Sequence, residues 1–171
     1  MRNRSKRTMA LYGALVAWSM LLASGVAMAQ AGAAAKEKTA MATQFVNPEG
    51  LSKPPGYTHV VIAQPGKLVY VAGQVALNAK GEVVGKGDVR GQAVQVFENL
   101  KTALAAAGAS FDDVVKLNYY VVNLKPADRD AIREVRQKYV SAEHPPASTL
   151  VGVTSLAREE FMIEIEAVAV K

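Results

Sequence analysis

The chemistry-bearing side chains of this chain are few, and the most suggestive sit near its end. Glu164 and Glu166 stand two apart in Ile163-Glu164-Ile165-Glu166-Ala167-Val168-Ala169-Val170. Alternation along a strand puts both carboxylates on one face, with Met162, Val168 and Val170 beside them. A carboxylate partly covered there ionises less readily, which suits proton transfer. For Glu166 an ordinary surface or interface salt bridge is the expectation. Tyr57 and His59 flank Thr58 and share a face, and His144 precedes two prolines, where it reads as a charge at a helix terminus. Ser148 and Thr149 offer hydroxyls, but nothing in the sequence sets a base beside Ser148, so a nucleophilic serine is not expected. Arg136 and Arg158 are the obvious cations that could hold an anion, although placement on the surface is the expectation for each.

Other chemistries are excluded early. The chain has no cysteine and only two histidines, so thiolate catalysis, disulfides and a histidine-rich metal centre are out. Gly85-Lys86-Gly87 lacks the strand-loop-helix spacing of a phosphate cradle.

These residues need elements to position them. Strand signals run from Tyr57 to Ala63, from Lys67 to Val71 and, briefly, from Val75 to Leu77. Asp88 can cap a helix whose apolar residues Val89, Ala93, Val96, Phe97, Leu100, Leu104 and Ala107 recur at helical spacing, with Gly108 as its stop. Val114 to Val122 alternates, with Val115, Leu117, Tyr119 and Val121 facing one way. A second helix, starting at Pro126 or Asp128, carries Ile132, Val135 and Tyr139 and runs to His144-Pro145-Pro146. Ala147–Val153 and Phe161–Val170 close the domain as strands. The order predicts an α+β layer: one mixed sheet with two helices packed on one face. Its other face, apolar in several strands, needs a subunit to cover it.

In this order and spacing the chain resembles the Rid/YjgF family of reactive-intermediate enamine/imine deaminases, over residues 45–171. The matching stretches are Gly56-Tyr57-Thr58-His59, Val69 to Gln74, Gln92 to Gly108, Val114 to Leu124, His144-Pro145-Pro146-Ala147 and the closing Ile163 to Val170. The resemblance implies a chorismate-mutase-like fold and a homotrimer with small-molecule clefts at the subunit interfaces. It also implies hydrolysis of imines to ketoacids and ammonia without metal or organic cofactor. Glu164 falls on the family's active-site glutamate, Tyr57 on its cleft tyrosine, and Gly73 on its Gly-Gln step. The decisive departure is after Pro146-Ala147. Active members have an arginine there to grip the substrate carboxylate, and this chain has Ser148, then Thr149. Ala72 stands for the family serine and Arg136 for a helix asparagine. The pattern is that of an arginine-less subgroup, in which a changed substrate or a non-catalytic binding role is the expectation.

The amino terminus carries a separate message. Arg2, Arg4, Lys6 and Arg7 precede an uncharged stretch from Thr8 to Ala35, which ends its apolar centre near Ala27-Met28-Ala29. This predicts a signal peptide over residues 1–29, cut before Gln30, with the general secretory route to a periplasm as its destination. An uncleaved membrane anchor is the competing expectation. A spacer over residues 30–44 would join the signal to the domain. The formal charge of +5 is mostly this label: residues 30–171 keep sixteen bases against all fifteen acids. A near-neutral domain without a basic, aromatic-studded run is not a nucleic-acid binder. Export also removes any role at ribosomes.

Overall fold

The structure is a computed structural model, and it describes residues 43–64 and 66–171. The signal peptide and nearly all of the spacer lie outside the described residues. The described chain runs β1 (Gln44–Val46), β2 (Val60–Ile62), β3 (Leu68–Gln74), α1 (Val89–Ala106), a 3-10 turn (Phe111–Asp113), β4 (Val114–Val122), α2 (Pro126–Arg136), β5 (Ala147–Val153) and β6 (Ile163–Val170). β1 takes in Gln44, the last residue assigned to the spacer.

Four strands make the main sheet in the order β3-β6-β4-β5, with β4 and β5 parallel and the other pairs antiparallel. α2 is the crossover between the parallel strands, as such a pair requires. Both helices cover one face. The fold is therefore the mixed α+β layer expected, with two differences. Tyr57–Ala63 is not a strand of the main sheet, which it meets only through a single bridge from Thr58 to Ala147; Val60–Ile62 alone is strand, and it pairs with β1. Val75–Leu77 is not a strand either. The Asn99 side-chain amide donates to the carbonyls of Val75 and Leu77 at 2.9 Å each, and Leu77 bridges Val83 across the Asn78 turn.

α1 forms where its caps say it should. Asp88 Oδ1 accepts from the Arg90 amide at 3.0 Å. At the other end Gly108 turns left-handed (φ 74°), and the amides of Gly108 and Ala109 return to the carbonyls of Ala105 and Leu104. α2 begins with Pro126 in its first turn, and the Asp128 carboxylate accepts from the Lys125 amide at 2.9 Å. It stops at Arg136, well short of His144. The chain tightens there into short turns, with the Tyr139 amide bonded to the Arg136 carbonyl. His144 is thus not a helix-end charge; it stacks on Phe45, ring centres 5.0 Å apart.

The core lies between the helices and the inner face of the sheet. Ala93, Val96, Phe97, Leu100 and Leu104 of α1 meet Leu117, Tyr119, Ile163, Ile165 and Ala169, all buried. Tyr139 stacks on Phe97 at 4.9 Å. Leu100→Ala is expected to cost about 2–5 kcal/mol in urea denaturation, as a large-to-small change at a sealed core position does. In β4 the buried residue is Val114 rather than Val115, because a bulge between Val114 and Lys116 shifts the register against β6.

The carboxy terminus is held electrostatically. The Asp113 carboxylate accepts from the Ser110 amide at 2.8 Å and from Lys171 Nζ at 3.3 Å. Partial burial opposes ionisation, but the Ser110 and Lys171 bonds outweigh it and hold the carboxyl below its usual range. A depressed carboxylate stabilises the fold above its unfolded pKa, and that contribution disappears as pH falls through the folded value. Asp113→Asn is therefore expected to cost about 1 kcal/mol at neutral pH, and the gap between variant and parent melting curves should close in acid.

Candidate functional site

The sheet divides the expected site residues between its two faces. On the face that neither α1 nor α2 covers, β6 presents Glu164 and Glu166, β4 presents Lys116, Asn118 and Tyr120, and β5 presents Thr149. Glu166 Oε1 accepts from Asn118 Nδ2 at 2.7 Å and from the Tyr120 hydroxyl at 3.1 Å. It is therefore anchored by neutral donors rather than by the salt bridge expected of it. That bond, some burial and the two carboxylate charges keep the Tyr120 hydroxyl protonated above its ordinary pKa. Thr149 is held as well, by Lys116 Nζ at 2.7 Å.

Glu164 differs from its neighbour. Among the described residues it has no hydrogen bond and no ion pair. Room for it comes from Gly73, in the irregular stretch of β3 between Val71 and Gln74. A Cβ on Gly73 would stand 2.7 Å from Glu164 Cδ and 2.9 Å from its Cγ. Only glycine lets this carboxylate lie along the backbone of β3. Ala72 beside it is exposed, and its carbonyl accepts from Gln74 Nε2. Tyr70, on the same face, is 75% exposed. The result is an unpartnered, half-buried carboxylate on an open surface ringed by hydroxyl, amide and aromatic groups. Such a group can orient a water and exchange protons with it.

Ser148 points the other way. Its partner in the parallel ladder is Leu117, on the helix side, whereas Thr149 pairs with Asn118 on the open side. Ser148 lines a cavity of about 410 Å³ together with Tyr57, Tyr119, Leu150 and, from α2, Arg133 and Arg136. Tyr57 is fixed there through its neighbour. The Thr58 amide and hydroxyl donate to the carbonyls of Pro146 and Pro145 at 3.3 and 2.6 Å. Gly56 has a left-handed φ of 131°, and a Cβ there would lie 2.6 Å from Arg136 Nη2. His59 meets Tyr57 edge-on and bonds the Ser52 carbonyl at 2.9 Å, a packing role. Arg158 lies over the Phe161 ring and takes no part in this cavity.

One chain thus brings together Tyr57, Arg136 and Ser148 on the helix side. It brings together Glu164, Gly73 and Ala72 on the open side, with Thr149 on that same face. It does not unite the two groups. The sequence reading missed Arg133, although Arg129, Arg133 and Arg136 recur at helical spacing. It also missed Gln92, fully buried, whose amide donates to the Glu160 carbonyl at 2.6 Å and accepts from the Met162 amide at 2.8 Å. That clamp ties α1 to the start of β6 and so to the height of Glu164. Among the described residues no three His, Asp or Glu side chains are close enough to share a metal ion.

Comparison with known proteins agrees with this architecture. The model of the Endoribonuclease L-PSP family matches residues 51–171. A RutC family protein of Pyrococcus horikoshii is 39% identical over 72% of this chain and 94% of its own length. The 2-iminobutanoate/2-iminopropanoate deaminase of Dermatophagoides farinae is 36% identical over 63% of this chain and 80% of its own. Among solved structures, the Rid-family protein YyfB of Yersinia pestis is 43% identical with a TM-score of 0.71, covering 75% of this chain and 98% of its own. RidA of an Antarctic Psychrobacter species is 29% identical with a TM-score of 0.55, covering 75% and 99%. A family match across the whole helix-and-sheet layer, with relatives matched over most of their own lengths, places this chain in the Endoribonuclease L-PSP family, which takes in the Rid, YjgF and RutC proteins.

Proposed function

We propose that this protein is an exported imine or enamine hydrolase, working as a homotrimer whose clefts form between subunits. The observation that carries the reading is Glu164: an unpartnered carboxylate laid over Gly73, in a family that includes a named imine deaminase. Water adds to the carbon of the protonated imine as Glu164 takes one of its protons, which leaves a neutral carbinolamine. Glu164 returns that proton to the amino nitrogen, the C–N bond breaks, and the hydroxyl proton passes through Glu164 to the departing ammonia as the C=O bond forms, so that a ketone and ammonium remain. A second copy gives the open face its cover and lets Glu164 of one subunit face the Tyr57 and Ser148 side of another. With Ser148 in place of the family arginine, the substrate differs from the small amino-acid imines of the active members.

The test is release of ammonia and ketoacid from imines generated in situ, with the oligomer measured by light scattering. No release above the spontaneous rate from any amino-acid imine would favour a non-catalytic binder, which the lone Ser148 hydroxyl also allows. Sequencing the amino terminus of the exported chain is expected to give Gln30 first. An intact Met1 would make the apolar segment an anchor.

A further inference from the structure

The cavity on the helix side has an electrostatic imbalance that hydrolysis at Glu164 does not use. Every acid on α2 is already engaged: Asp128 with the Lys125 amide, Asp130 with Arg129, and Glu134 with Arg90 at 2.8 Å. Arg133 and Arg136, one turn apart and both half-buried, have no carboxylate partner among the described residues. Unpaired charges drawn partly out of water are costly unless something neutralises them. Beneath them the Tyr119 ring is 2% exposed; its buried hydroxyl lies near the Arg136 guanidinium but has no well-formed hydrogen bond among the described residues. Buried hydroxyls are normally satisfied, so an orphan in a cavity wall marks a place for a ligand atom. Ile132 and Leu150 supply an apolar wall between these polar groups.

We propose that this cavity binds a small dicarboxylate, gripped by Arg133 and Arg136 and hydrogen-bonded by Tyr119, with its carbon chain against Ile132 and Leu150. Two guanidiniums on successive turns have Cβ atoms about 5–6 Å apart, a spacing that suits two separate carboxylates better than one compact anion. The cation missing at position 148 is thereby supplied from α2. As a substrate assignment, an imine bearing a second carboxylate, this rests on the hydrolase reading above; as a binding site it does not.

The experiment is calorimetric titration of the exported protein at low salt with succinate, acetate and inorganic phosphate. Turnover is not involved, so a failed hydrolase assay leaves the readout intact. Succinate is expected to bind at least about tenfold more tightly than acetate or phosphate, and R133Q and R136Q each to weaken it about tenfold or more. R136K keeps the charge at the helix end and thus the fold, yet must also lose affinity, because an ammonium lacks the two-pronged grip. Y119F removes a hydroxyl without a well-formed hydrogen bond among the described residues, so its thermal stability should hold while succinate affinity falls. R158Q should bind as the parent does. Succinate no tighter than acetate, phosphate binding as tightly as succinate, or unchanged affinity in R133Q and R136K would each overturn the site.

Discussion

Glu164→Gln is expected to slow imine hydrolysis by about 10²–10⁴-fold, the range for removing a positioned acid–base group. The substitution is nearly isosteric and breaks no hydrogen bond or ion pair among the described residues, so the melting temperature should stay within a degree or two of the parent. Rate and stability should therefore separate cleanly, which a structural role for Glu164 would not allow. Gly73→Ala provides an independent check, because it leaves the carboxylate in the protein but displaces it. The added Cβ overlaps the side chain, and a misplacement of about 1 Å can cost 10²-fold in rate. If Gly73→Ala retains full activity while Glu164→Gln loses it, the carboxylate works from a different rotamer than the one lying along β3.

Gln92→Leu is expected to be the most damaging single change to stability outside the apolar core. Leucine fills similar space but orphans the Glu160 carbonyl and the Met162 amide, at about 1–3 kcal/mol each. Urea denaturation with an unchanged m-value would report that loss. Activity per folded molecule should fall too, since Met162 sets where β6 begins. A cost below about 1 kcal/mol would mean that water replaces the clamp.

The helices and the four sheet strands were legible because their patterns are local. The Asp88 cap, the Gly108 stop and the Glu164–Glu166 alternation depend on neighbours within a few residues. The bulge that buries Val114 instead of Val115 was not legible, since register is set by β6, far away in sequence. Nor was the fate of Val75–Leu77, whose carbonyls go to Asn99 on α1. Among the candidate site residues, the sequence singled out Glu164, Tyr57 and Ser148 but could not show that the sheet lies between the first and the last. The basic stripe on α2 was visible as spacing, and what set Arg133 and Arg136 apart was that other acids had been taken by other partners.

The alternation along β5 separates two kinds of surroundings. Ser148 and Leu150 belong to the arginine cavity, whereas Ala147, Thr149 and Val151 belong to the outer face that α1 and α2 leave uncovered. Adjacent positions therefore answer to different neighbours, one set to the cavity and the other to the outer face. Substitutions at 148 and 150 reshape the cavity without disturbing that outer surface, and the outer surface can be remodelled through 147, 149 and 151 without touching the cavity. A single-residue insertion after Pro146 would couple the two at once, exchanging every side chain between them.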